Sequence, residues 1–270
     1  MNNRKNSYQQ SKVHKGKSSN TDLCAENTSH NASSIIDAGL EIIWPTRCAI
    51  CDQHGTLLCD KCKENLNFID QNQACPKCGA ANCKHICSEC SSLAISQAKH
   101  KSFAFKRSRS VLVFDESSSR IIKAYKDQGE LRLASEIAKL MNYFITSDIK
   151  NDYLLCYIPS SVRSIKKRGF DNGKIIYKEL KNLTNMQAMN AFLRPKSQDQ
   201  RDLGLIERSN NMLGNFVLNN KARSYIRQTN PRILLIDDVF TTGATLDSAS
   251  RCLLDGGAKE VECLTLLKVI

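Results

Sequence analysis

Thirteen residues near the C-terminus constrain this chain more than any others. The run Ile233-Leu234-Leu235-Ile236-Asp237-Asp238-Val239-Phe240-Thr241-Thr242-Gly243-Ala244-Thr245 sets an apolar stretch, two adjacent carboxylates, a hydroxyl-rich turn and the start of a helix in that order. An apolar run of this length suits a strand buried on both faces, as in parallel sheets. In open α/β folds such a strand delivers the following turn to the carboxyl edge of the sheet, where ligands bind. Backbone N–H groups of the turn and of the helix N-terminus cradle a phosphate dianion there, and the hydroxyls of Thr241, Thr242 and Thr245 add donors. Gly243 lets the backbone close on the ligand. A phosphate repels carboxylates, so Asp237 and Asp238 need another partner, and vicinal ribose hydroxyls are good donors to them. A plain strand-turn-helix with a threonine N-cap explains the threonines but not two adjacent aspartates. A P-loop is excluded by the missing Gly-Lys pair, and a dinucleotide fingerprint by the missing glycine spacing.

The texture upstream agrees with an α/β sheet. Ser110 to Phe114 and Tyr153 to Ile158 read as strands, and Ser118 to Tyr125, Leu131 to Phe144 and Ile175 to Leu183 carry apolar residues at helical spacing. Leu203 to Met212 reads as a further helix and Asn215 to Leu218 as a short strand. After the buried strand Arg232 to Ile236 comes a helix, Thr245 to Leu254, stopped by Gly256 and Gly257, and then a closing strand, Val261 to Leu267. Such alternation predicts a parallel sheet with helices on both faces from about residue 99 to the end.

The first third has a different logic. Four Cys-x2-Cys pairs, Cys48/Cys51, Cys59/Cys62, Cys75/Cys78 and Cys87/Cys90, form four knuckles and hence two four-thiolate sites. Zinc fits such sites without redox demands. Spacing leaves open which knuckles share an ion, consecutive pairing being the simplest. Residues 34 to 98 hold few large apolar side chains, as expected of a domain organised by metal. Cys83, His54 and His85 read as spectators; Cys24, Cys156, Cys252 and Cys263 fall in the tail or in core-like segments, where an inert thiol is the default.

Residues 1 to 33 are rich in Asn, Ser, Gln and Lys and cannot bury enough surface to order themselves. The apolar stretch Ile35 to Trp44 is long enough for a helical turn or two and ends at Pro45. No basic-then-apolar secretory pattern follows Met1, and no segment approaches the length of a membrane span, so a cytoplasmic chain without membrane insertion is expected. With 39 basic against 27 acidic residues the formal net charge is +12, a bias toward phosphate-rich partners.

One further stretch bears on the ligand. Pro159 closes the second strand and is followed by Ser160, Ser161, Arg163, Lys166, Lys167 and Arg168 without an acidic residue, a basic loop expected at the same sheet edge as the phosphate turn. Gln200 to Asn211 suits a mobile loop that closes over a substrate. Lys123 and Lys126 sit on the first helix of the domain, where a helix-surface role suits both and a ligand role is the alternative for Lys126.

The segment Asp237 to Thr245 resembles the phosphoribosyl pyrophosphate (PRPP) motif of type I phosphoribosyltransferases. The order of motifs is similar to that of the ComF family: the cysteine cluster Cys48 to Cys90, then Pro159 through Arg163 to Arg168-Gly169-Phe170, then Gln200, Leu203, Arg208, Asn211 and Phe216, and finally the PRPP motif. The resemblance covers about residues 46 to 270. It implies a double zinc ribbon ahead of a phosphoribosyltransferase-like domain, structural Zn2+ in two sites, and Mg2+ arriving with PRPP. It further implies contacts from Val239, Phe240 and Ala244 beside the threonines, Ser160 and Arg163 in a pyrophosphate loop, and Asp237, Asp238 and Arg168 in catalytic roles. The partners it implies are single-stranded DNA and other proteins of the competence system for DNA uptake. Two residues depart from the family pattern, Asp171 where Asn is usual and Ser160 where Leu is usual. No acceptor base is implied, so an active transferase and a PRPP-binding module both fit.

Overall fold

The computed structural model describes residues 45–83, 85–91, 102–193 and 216–269. Apart from Pro45 these lie in one compact unit, Thr46–Ile270. The tail 1–33, Cys24, the stretch Ile35 to Trp44, the helix expected over Leu203 to Met212 and the loop containing Gln200, Arg208 and Asn211 lie outside the described residues.

Elements run in the order α1 (Asp60–Glu64), a 3-10 turn (Ser88–Cys90), β1 (Arg107–Val113), α2 (Glu116–Lys126), α3 (Leu133–Asn142), α4 (Ser147–Asp152) and β2 (Tyr153–Tyr157). They continue with α5 (Val162–Arg168), α6 (Asn172–Thr184), α7 (Asn220–Thr229), β3 (Arg232–Phe240), α8 (Ala244–Asp255) and β4 (Glu260–Lys268). The four strands lie in the order β1-β4-β3-β2, all parallel. In β3, Ile233 and Leu235 join Leu154, Cys156 and Cys263 in one core, with Ala222 and Ile226 of α7 and Leu246, Ala249 and Leu253 of α8. Their neighbours Leu234 and Ile236 join Leu155, Tyr157 and Leu264 in another, with Ile121 of α2, Ile137 of α3 and Leu180 of α6. The two-residue strand period thus loads helices onto both faces.

The cysteine-rich segment is bonded to this sheet along its outer strand. Ile69 N–H donates to Val111 O (2.9 Å), Val113 N–H to Asn67 O (3.0 Å) and Ser108 N–H to Lys77 O (2.8 Å), so β1 does not expose a bare edge. Leu58 and Leu66 of the segment are buried in the α2–α3–α6 core, and Cys75 and Cys78 in the opposite one. The metal-organised segment therefore shares the hydrophobic cores of the sheet.

Three expectations change. The basic stretch after Pro159 is a helix, α5, because Ser161 caps it by accepting from Ser164 N–H (3.2 Å) and Gly169 ends it in the left-handed region at φ 87°. Near Asn215 to Leu218 the described part, from Phe216, makes one bridge, Leu218 to Phe192, and α7 follows, capped by Asn219. β3 continues through Asp237, Asp238 and Val239 to Phe240, pairing with Thr265, Leu267 and Lys268 of β4, so the turn itself is only Thr241 to Gly243.

Candidate functional site

The carboxyl edge of β3 carries the two aspartates. Asp238 Oδ2 lies 2.6 Å from Lys126 Nζ at the end of α2, with both side chains under one-fifth exposed. Asp237 accepts from the Asp238 N–H at 2.9 Å. Burial pushes the Asp237 carboxyl up to about 8, and the Asp238 charge adds to the rise against the opposing Asp238 N–H and Lys126. Lys126 is therefore not a surface lysine but the counter-charge of Asp238. Its signal in the sequence was weak: it ends an amphipathic helix, where a cation is ordinary.

Beyond Asp238 the strand ends on a tight turn. Gly243 has φ 79°, and a Cβ placed there would lie 2.5 Å from Phe240 Cζ and 3.0 Å from Phe103 Cε1. Both demands exclude a side chain. Phe240 is buried, stacks edge-on to Phe103 and Phe105, and lies under the Lys268 ammonium at 3.4 Å from its centroid. Its side chain is thus the floor of the turn. Thr241, Thr242 and Thr245 are exposed above it, Ala244 is half-buried, and Ala244 N–H reaches Thr242 Oγ1 only at 3.4 Å. Asp247, in the first turn of α8, is held by Ala104 N–H (2.6 Å) and Arg251 (3.0 Å), which fixes the helix start.

The neighbouring strand brings the second group to the same edge. Tyr157 of β2 is in register with Ile236, and Ile158 N–H donates to Ile236 O at 3.0 Å, so Pro159 and Ser160 emerge beside Asp237 and Asp238. Asp171 is buried and accepts from Ser160 N–H and Lys174 N–H, both at 3.2 Å. It works as the N-cap of α6 and a brace for Ser160. Gly173 allows this, because a Cβ there would sit 2.5 Å from Ile158 O. Arg163, Lys166 and Lys167 are exposed and Arg168 half-buried on α5.

The eight knuckle cysteines separate into two sets, Cys48/Cys51/Cys59/Cys62 and Cys75/Cys78/Cys87/Cys90, each with its sulfurs within 4.8 Å of one another. Consecutive knuckles therefore share a site. Cys51 and Cys59 sulfurs are 3.7 Å apart and those of Cys78 and Cys87 3.6 Å. A tetrahedral ion at about 2.3 Å from each sulfur needs sulfurs about 3.8 Å apart, so the sets fit zinc. The two sites repeat one another: Cys59 N–H donates to Cys48 Sγ and Cys87 N–H to Cys75 Sγ, both at 3.4 Å. Burial opposes ionisation of Cys48 and Cys75, yet backbone N–H donors prevail and bring them down to about 6 and about 7. Among the described residues, Cys83, His54 and His85 fall outside both sets; Cys83 Sγ instead donates to His85 O. Cys156 and Cys263 are buried core thiols and Cys252 is half-buried.

Comparison with known proteins agrees with this layout. The double zinc ribbon domain family matches residues 39–93. Competence protein ComFC of Bacillus subtilis is 25% identical over 215 residues, spanning 78% of this chain and 84% of its own. Competence protein F of Haemophilus influenzae is 25% identical over 223 residues, spanning 76% and 93%. A solved hypoxanthine phosphoribosyltransferase of Staphylococcus aureus aligns with 50% of this chain and 62% of its own at 19% identity and a TM-score of 0.31. Over about three quarters of its length this chain is thus similar to ComF-type competence proteins, and its N-terminal segment carries the double zinc ribbon ahead of a parallel sheet.

Proposed function

We infer that this protein binds PRPP, or a closely related ribose phosphate, and serves the competence system as a phosphoribosyltransferase-like component. One observation carries the reading: two adjacent carboxylates end a buried strand and a turn that tolerates only glycine follows within five residues. In this reading the turn from Thr241 to Thr245 holds the 5-phosphate through N–H groups and hydroxyls, and Asp237 and Asp238 accept from the ribose hydroxyls. Arg163 and Arg168 on the adjacent strand's connection neutralise the pyrophosphate, and Ser160 offers it a hydroxyl donor. Mg2+ supplies charge compensation on the pyrophosphate oxygens when bound. It arrives with the ligand, because Asp238 is paired with Lys126 and Asp237 favours its protonated form, which leaves no ready dication site there. If the bond to pyrophosphate is broken, the Asp238 carboxylate stabilises positive charge growing on the ribose ring.

Isothermal titration with PRPP and Mg2+ tests the binding step. In an Asp237→Ala, Asp238→Ala double variant, loss of the charge-assisted hydrogen bond of Asp238 is expected to cost about 1.5 to 3 kcal/mol and loss of the neutral one of Asp237 about 0.5 to 1.5 kcal/mol. Equal affinity in wild type and variant would refute the reading. Release of labelled pyrophosphate, with and without candidate acceptors, separates turnover from binding.

The curated relatives are named for competence, and the net charge of +12 supports contact with single-stranded DNA in that setting. Among the described residues no helix is long and apolar enough to cross a membrane, which is compatible with work on the cytoplasmic side. Such DNA binding is expected to fade steeply between about 50 and 200 mM salt, as released counterions require. Salt-insensitive binding would count against a phosphate-neutralising interface.

A further inference from the structure

The ion pair between Lys126 and Asp238 has a consequence for the ligand. Asp238 cannot offer a ribose hydroxyl its full acceptor capacity while Oδ2 is engaged at 2.6 Å, so an incoming sugar competes with Lys126. Lys126 in turn has three N–H donors, and among the described residues Asp238 is its one ion-pair partner. A mostly buried ammonium with donors unspent, at the edge of a proposed anion site, is placed to receive ligand oxygens.

The direction in which Lys126 faces follows from the two cores. α2 packs with α3 and α6 through Ile121, Ala124 and Tyr125, on the face opposite α8, whose first turn carries Thr245. α2, which carries Lys126, and α8, which follows the turn, therefore pack on opposite faces of the sheet. The last turn of α2 is tied to the β2 connection: Tyr125 Oη–H donates to Asn172 O at 2.8 Å, and the preceding residue, Asp171, receives Ser160 N–H. Tyr125 feels both Asp238 and Asp171, which puts these groups in one neighbourhood. These bonds set the end of α2, which carries Lys126, beside the connection that carries Ser160.

We propose that Lys126 is a ligand-binding cation for the pyrophosphate end of the ligand, parked on Asp238 in the empty site and handed over when the ribose hydroxyls take its place. The parked pair keeps two charges compensated at an edge where each alone would be costly. The exchange leaves both side chains with partners, since the ligand brings hydroxyl donors for Asp238 and an anion for Lys126.

This inference rests on the ribose phosphate reading, and a crossed titration keeps the two apart. Three probes are titrated with Mg2+ into the full chain: PRPP, ribose 5-phosphate and inorganic pyrophosphate. Lys126→Met is expected to weaken PRPP and pyrophosphate roughly ten- to a hundred-fold while leaving ribose 5-phosphate within a few-fold. Asp238→Asn is expected to do the reverse, weakening ribose 5-phosphate and leaving pyrophosphate unchanged or tighter, because Lys126 is released. Lys126→Arg keeps the cation and should retain most pyrophosphate affinity. Unchanged pyrophosphate binding in Lys126→Met, or equal losses for both partial ligands, would overturn the proposal and make Lys126 only a brace for Asp238. Should Lys126→Met fail to fold, loss of pyrophosphate affinity in Asp238→Asn overturns it equally. A wild type that binds none of the three probes defeats the ribose phosphate reading itself.

Discussion

Asp237→Asn tests the electrostatics of the site without a ligand. An ordinary aspartate ionises near pH 3.9, whereas burial and the Asp238 charge hold Asp237 up to about 8. Between these values the unfolded chain carries an ionised carboxylate and the folded chain a protonated one. The native state then binds more protons, so this group's contribution to stability is full below about pH 4, falls as pH rises, and is lost by about pH 8. A difference of about four pH units at ~1.4 kcal/mol each sets a ceiling of about 5.5 kcal/mol. About three of these four pH units lie above pH 5, so up to about 4 kcal/mol of the ceiling is expressed between pH 5 and 8. Asparagine has a similar shape and does not titrate. Urea denaturation of wild type and Asp237→Asn at pH 5, 7 and 9 reads the effect of Asp237 and its neighbour Asp238 together, because titrating groups that do not interact with them cancel in the difference. The variant should gain on the wild type by that amount between pH 5 and 9. A difference that stays flat over this range would refute the claim that Asp237 is held protonated in the fold.

Gly243→Ala should lower stability by about 2 to 4 kcal/mol, from left-handed strain plus overpacking against Phe240 and Phe103, and should abolish phosphate-ligand binding; a thermal melt and a titration both read it, and an unchanged melt would show that the turn relaxes freely. Purified protein should carry close to two zinc ions per chain, and Cys48→Ser or Cys87→Ser should each remove about one; elemental analysis without zinc in chelator-free preparations would contradict the two four-sulfur sites. Asp171→Ala should cost about 1 kcal/mol through the lost α6 cap, while Asp171→Asn, which keeps an acceptor for Ser160 and Lys174, should stay within about 0.5 kcal/mol; equal losses in denaturant titrations would mean that the charge and not the cap matters.

Much of this layout is legible in one dimension because it rests on local rules. Four cysteine pairs, each spaced by two, read as metal knuckles, and the apolar run before Asp237 has no length for anything but a strand. Capping rules also reached further than a reading of charge suggested: Ser161, Ser164 and Gly169 mark the ends of α5, and reading Arg163 to Arg168 only as a basic run hid them. What the tertiary structure alone decided are contacts between residues distant in sequence. The Lys126–Asp238 pair joins positions 112 residues apart, and nothing periodic in α2 distinguishes Lys126 from the exposed Lys123 one turn earlier. The sharing of ions between consecutive knuckles, the floor made by Phe103, Phe105 and Phe240, and the brace from Asp171 to Ser160 likewise depend on how elements pack. Sequence spacing reports which side chains share one helix face or strand edge, whereas a counter-charge is chosen by whichever element the sheet order brings alongside.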